Sequence, residues 1–387
     1  MEKKLEIYIH IPFCVKKCRY CDFLSFPGQE PLIRAYADRL AEEIRKKGEE
    51  LRIAGDLRPV CSVFLGGGTP SILEVEQTGD LMRAVRESFT LAEEPEITME
   101  CNPGTLTREK LSAWRRAGIG RLSIGLQSAS DRELACLGRI HTWKEFEENY
   151  FLAREAGFSN INVDLISALP EQTPQSWRQT LEKVLKLEPE HISAYSLIIE
   201  EGTPFYEIYR EDAERRERGE KPVFLPSEEE EREMYRDTEK LLGEAGYGRY
   251  EISNYAQRGY TCRHNIGYWE REDYLGFGLG AASLYKNTRY HNTENLERYL
   301  NGDREKEEIQ VLSEKEQMEE TMFLGLRLTE GVNLKKFEEE FGIPCEAVFG
   351  EQMERLTKQG LLRRNGERLC LTERGLDLAN YVMAEFV

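Results

Sequence analysis

Short β-branched runs alternate with longer amphipathic stretches through the first half of the chain. "LEIYIHI", "VCSVFLGGG", "EITMECN", "RLSIGLQS", "INVDLISAL" and "HISAYSLII" predict strands near residues 5, 61, 96, 121, 161 and 191. Helical patterns lie between them, among them 32–51, 108–118 and 177–187. Six β–α units imply a parallel sheet, which right-handed crossovers build either as an open doubly wound sheet or as a partial barrel. The polar residues decide. "GGGT" (66–69), Glu100, Gln127 and Asp164 fall at the ends of successive strands, as at the C-terminal mouth of a β/α barrel. The expectation is an α/β fold with a partial (β/α)6 barrel over residues 1–225.

The pattern breaks after residue 206 into a charged tract (210–247), read as a solvated linker feeding an acidic surface helix that stops at Gly246. Residues 226–304 form a linking segment. From about 305 the pattern is helix, helix, hairpin: a capping box at Ser313 and Glu316, a helix closed by Gly342, another helix, and a type I′ hairpin centred on Asn365-Gly366. This predicts a winged-helix-like C-terminal domain over 305–387.

Charge changes how that domain is read. Winged helices often bind DNA, but with 53 Lys and Arg against 71 Asp and Glu, net −18, the chain has no basic footprint for nucleic acid. A packing or lid role is expected, with no nucleic-acid partner. No run is long and apolar enough to cross a bilayer, and Glu6, His10 and Pro12 interrupt any signal-peptide core. Nine cysteines, three clustered and six scattered, do not form a secreted disulfide framework. A cytoplasmic protein with a metal or redox site is expected.

That site is "HIPFCVKKCRYCDF", with Cys14, Cys18 and Cys21. Three thiolates converging from a loop can hold three corners of a [4Fe–4S] cubane and leave the fourth iron open. Lys16, Lys17 and Arg19 supply a cationic sleeve for an anionic cluster. Two other readings stand beside this one: cysteines spaced i, i+4, i+7 also make the core face of a helix, and Cys14, Cys18, Cys21 with His10 make a zinc set.

The CxxxCxxC loop after the first strand, with Tyr20 before the last cysteine, resembles the radical S-adenosylmethionine (SAM) superfamily. "YIHIPFC", "GGGTPS", "ECNPGT", "IGLQS", "LGRIHT" and "VDLISALP", in that order, narrow the resemblance to its HemN/HemW branch. It implies that Cys14, Cys18 and Cys21 hold the cluster and that SAM chelates the open iron. Tyr8 and the backbone of Tyr20 would border the SAM. The backbone of Gly67, Gly68 and Thr69 would meet its methionyl end, where glycine permits close approach and amides satisfy a carboxylate. Glu100 and Asp164 would accept from ribose hydroxyls or the amino group, Gln127 could donate or accept, and Arg139 could fork onto a carboxylate.

Within the branch, coproporphyrinogen dehydrogenases of the HemN type continue as CxxxCxxCxC and carry a longer N-terminal arm. Here Phe23 stands in the fourth-cysteine position and thirteen residues precede Cys14. "CRHNIGYWE" (262–270) contains HNxxYW, the signature of HemW-type heme chaperones. The resemblance thus implies heme as a third cofactor, with His264 its candidate ligand and Tyr268 and Trp269 able to pack on a porphyrin face. It also implies transfer to an acceptor protein, which could be a membrane protein met transiently. The alternatives are oxygen-independent decarboxylation of coproporphyrinogen III and a winged-helix regulator sensing iron or oxygen.

Overall fold

The computed structural model describes residues 4–387. Six expected strands form: β1 (Leu5–Ile11), β2 (Val60–Gly67), β3 (Leu91–Cys101), β4 (Arg121–Gln127), β5 (Ile161–Ser167) and β6 (His191–Ser196). They lie side by side in chain order, each parallel to the next. A seventh parallel strand, Asp273–Phe277, pairs with the free edge of β1. The segment read as a link therefore extends the sheet. Antiparallel strands continue both margins, and the order among the described residues is open, from Lys306–Val311 at one end to Gly248–Arg249 at the other. The barrel is incomplete.

Residue type explains which way each strand faces. Leu5, Ile7 and Ile9 on β1, and Val63 and Leu65 on β2, are fully buried beneath the outer helices. Helix Ile33–Ile53 answers with Tyr36, Leu40, Ile44 and Leu51 on its inner stripe. The alternate residues face the barrel axis, and they are polar: Glu6, Tyr8 and His10; Ser62; Glu96, Thr98 and Glu100; Arg121 and Ser123; Asn162 and Asp164; His191 and Ser193. Barrels of this class usually fill that space with branched aliphatics.

The charged tract is structured rather than a solvated linker. Asp212, on helix Pro204–Glu217, is buried and its carboxylate accepts the backbone amides of Val223 (2.9 Å), Phe224 (2.5 Å) and Leu225 (3.0 Å). The acidic helix runs Glu228–Glu244, capped by Ser227, and packs Met234 and Leu242 on the barrel. Trp177 Nε1 donates to Thr238 Oγ1 at 2.9 Å across that contact.

A second core gathers Met322, Phe337, Phe349, Leu356 and Val382 in the C-terminal region. Helices Glu314–Gly325, Leu334–Phe341 and Cys345–Lys358 pack beside a three-stranded sheet. The capping box at Ser313 and Glu316 and the left-handed Gly342 stop both form. The wing turn sits one residue later than expected: Asn365 pairs with Arg368, so Gly366 and Glu367 make the loop. Only Gly366 has positive φ (+60°), which matches a type II′ turn rather than I′.

Candidate functional site

Residues 12–22 leave β1 as a loop with no helix, in which only Phe13–Cys14 pairs, with Phe26–Pro27, so Cys14, Cys18 and Cys21 do not form a helical core face. His10 cannot complete a zinc set as placed. One ring nitrogen meets the Tyr8 hydroxyl and the other meets the Leu24 carbonyl, both at 3.0 Å. Neighbouring strand ends reach the loop instead. Thr69 Oγ1 donates to Cys14 Sγ at 3.4 Å and accepts from Asn102 Nδ2 at 2.8 Å. Arg139 Nη1 reaches Cys18 Sγ at 3.5 Å, while Nη2 donates to Asn102 Oδ1 (2.8 Å) and to the Gly125 carbonyl (2.7 Å). Arg139 thereby ties β4, the β3 end and the cysteine loop together.

The three thiols are partly buried and unbridged. Burial pushes the Cys14 thiol up, and takes Cys21 to about 11. The donor set suits an iron–sulfur group that is anionic and sulfur-ligated: soft thiols, with a guanidinium and a hydroxyl directed at two of them. Lys17 Nζ donates to the Phe23 carbonyl at 2.9 Å, and the Phe23 ring is 62% exposed. The residue in the fourth-cysteine position points to solvent.

The glycines of "GGGT" act mainly by being small. A Cβ on Gly68 would lie 2.7 Å from the Phe13 carbonyl oxygen and 3.0 Å from Cys14 Sγ; one on Gly67, at φ +112°, would meet the His10 ring at 2.5 Å. Their amides are already engaged, Gly67 with Glu100 Oε2 (3.0 Å) and Gly68 with the Ile11 carbonyl (2.9 Å). Their expected contribution of amides to a carboxylate is not available in this arrangement. A fold this close to Cys14 leaves the loop no room for side chains.

Burial, with the Asp164 carboxylate nearby, raises the Glu100 carboxyl to about 8. Asp164 accepts from Ser123 Oγ (3.0 Å) and Asn162 Nδ2 (2.8 Å), and burial raises it as well. Gln127 closes β4 in a left-handed conformation (φ +70°), with Oε1 buried and unpartnered. Such a strained, unsatisfied residue at a strand end fits a binding role. Tyr20 packs against the small cluster of Leu137, Ile166, Leu197 and Phe205. Tyr8, Glu100 and Asp164 line a chamber of about 200 Å³ inside the barrel.

The HNxxYW motif forms helix Arg263–Trp269, whose inner face closes the floor of that chamber. His264 is 2% exposed, stacked on Phe64 (5.1 Å between centroids) with Nδ1 2.8 Å from Ser62 Oγ. Burial and the Arg121 charge hold its pKa down at about 3. Tyr268 faces the chamber, whereas Trp269 lines a separate groove against the C-terminal domain with Phe337 and Val332. The two aromatics expected on one porphyrin face thus point to different spaces, and His264 is shut away from any surface ligand.

Arg121, Asn102, Ser123, Asn162 and Phe64 belong to the site but were not singled out in the sequence. Their signal was there: in "RLSIGLQ" every second residue is polar or glycine, the inward row of a strand buried on both faces.

Two family profiles match, the Radical SAM superfamily over residues 8–184 and the HemN C-terminal domain over 312–378. The chain is 36% identical to the heme chaperone HemW of Lactococcus lactis, covering 100% of this chain and 98% of the relative. It is 36% identical to that of Bacillus subtilis (98% of each chain) and 33% identical to that of Escherichia coli (99% and 98%). In fold it resembles the solved coproporphyrinogen III oxidase HemN of E. coli, with a TM-score of 0.83 at 24% identity over 100% of this chain and 90% of that one. With the cysteine loop, the strand-end residues and the motif helix in one barrel, and relatives matched from end to end, the chain belongs to the HemW heme-chaperone family of the radical SAM superfamily.

Proposed function

We propose that this chain binds heme and passes it to an acceptor protein in the cytoplasm, a membrane protein among the candidates. The observation that carries the reading is the end-to-end match to heme chaperones. The solvent-facing Phe23 in place of a fourth cysteine supports it against a decarboxylase.

Cys14, Cys18 and Cys21 would hold a [4Fe–4S] cluster, and SAM would complete the open iron. Together these supply one-electron chemistry at the sulfonium when bound. The chain's own residues do the placing. Thr69 and Arg139 direct donors at the thiolates, Gly67 and Gly68 let the strand end approach, and Tyr8, Tyr20, Glu100, Gln127 and Asp164 bound the space for the nucleoside. A carboxyl raised as far as Glu100 is protonated at neutral pH and presents both a donor and an acceptor.

Heme ligation by His264 belongs to a state in which the motif helix has left the barrel floor, because its ring is enclosed between Phe64, Tyr268 and Ser62. Anaerobic reconstitution followed by assay with SAM, reductant and coproporphyrinogen III separates chaperone from enzyme. No decarboxylation is expected; multiple turnovers would refute the chaperone reading.

A further inference from the structure

The floor of the barrel holds two buried nitrogens that nothing meets. Arg121 is 2% exposed, and its Nε has no hydrogen-bond partner. The carboxylates of Glu96 and Asp164 act on its charge through space and none bonds to it. His264 is equally buried, and its Nε2 is also unpartnered. Both residues line the chamber of about 200 Å³, together with Asn265 and Tyr268 from the motif helix.

A guanidinium carries five N–H donors in a planar fork, and burying it without an acceptor is unfavourable. His264 Nδ1 lies 2.8 Å from the Ser62 hydroxyl, and its unpartnered Nε2 gives the chamber a second polar atom, a donor in the tautomer that carries the proton there. Planar, bidentate and anionic, a carboxylate matches the fork as chloride or a neutral amide does not. Water alone would fill the space with roughly 7 molecules at ~30 Å³ each, so a carboxylate with a short carbon chain fits and a porphyrin does not.

We infer that the barrel floor is a binding subsite for a short-chain carboxylate, gripped by the Arg121 guanidinium and His264 Nε2 beneath the space bounded by Glu100 and Asp164. The subsite gives the inner face of the motif helix a ligand in the closed state, separate from heme. Its occupancy would hold that helix on the floor.

Acetate is the probe. In the anaerobically reconstituted protein, sodium acetate exchanged for sodium chloride at constant ionic strength should raise the unfolding temperature saturably. Arg121→Gln, with cluster content matching wild type, should lose at least ten-fold in acetate affinity. An identical acetate response in the variant, or none in wild type, overturns the subsite. Should the variant fail to assemble, wild-type crystals grown in acetate and in chloride decide: planar carboxylate density within hydrogen-bond reach of Arg121 in the chamber is expected with acetate, and water alone there in both overturns the assignment.

Discussion

Gly68 is the residue on which the cluster loop depends most narrowly. A methyl group there collides with the Phe13 carbonyl and crowds Cys14 Sγ at once. Gly68→Ala should lower stability by ~1–3 kcal/mol and deplete the iron and sulfide retained after anaerobic reconstitution. Alanine at any one of Cys14, Cys18 or Cys21 should abolish stable cluster assembly, and full iron and sulfide content in all three variants would contradict the ligand set. Burial raises the Cys14 and Cys21 thiols, and ligation requires their thiolates, so protons compete with the cluster. Reconstitution yield should therefore climb from about pH 7 to about pH 9, read as iron per chain. The cysteines stood out as candidates because three thiols within eight residues of a loop have few other uses. Asn102, which joins Thr69 to Arg139, was not, since a single Asn in "ECNPGT" is equally suited to a turn.

The motif helix Arg263–Trp269 is held on the barrel floor by complementary small and buried groups. A Cβ on Gly267 would lie 2.1 Å from Glu6 Oε1, so only glycine lets the helix sit over that carboxyl. Gly267→Ala should unseat the helix and expose Tyr268 and His264, measured as faster amide hydrogen exchange over 263–269. Glu6 is buried, with Oε2 unpartnered and 3.5 Å from His264 Nδ1, and burial raises it to about 9. The unfolded chain releases this proton near the ordinary carboxyl value while the folded chain keeps it. Stability from Glu6 is thus fullest in acid and declines as pH rises toward 9. Glu6→Gln should be neutral near pH ~4.5 and more stable than wild type by on the order of 2 kcal/mol near pH ~8, measured by chemical denaturation at each pH. At this scale the sequence spoke clearly about strands, whose alternation is strict. It misled about the HNxxYW motif: seven residues specify a helix, but which of its faces turns inward depends on Glu6, Ser62 and Phe64 arriving from strands some 200 residues away.

The two larger cores of the molecule are joined by a buried ionic contact. Arg271, next to the motif helix, pairs with Glu320 (3.2 Å) and Glu340 (3.3 Å) of the C-terminal domain and donates to Asn287 Oδ1 at 2.7 Å. Without Arg271, Glu320 keeps Arg289 at 2.8 Å, so what is lost is one arm of a buried charge network, at ~1–3 kcal/mol. Arg271→Ala should loosen the C-terminal domain and open the segment before Ser313 to limited proteolysis. The docking of that domain was invisible beforehand, because Arg271 and Glu320 carry no local mark of burial. The same holds for the seventh parallel strand, whose pairing with β1 closes a span of more than 260 residues.

Heme is the molecule on which this account rests, and spectroscopic titration of the anaerobically reconstituted protein with hemin tests it most directly. Saturable, stoichiometric binding with a defined Soret band, followed by loss of that band to an added apo-acceptor, is the predicted result. A protein with full cluster content that shows no saturable heme binding would contradict it.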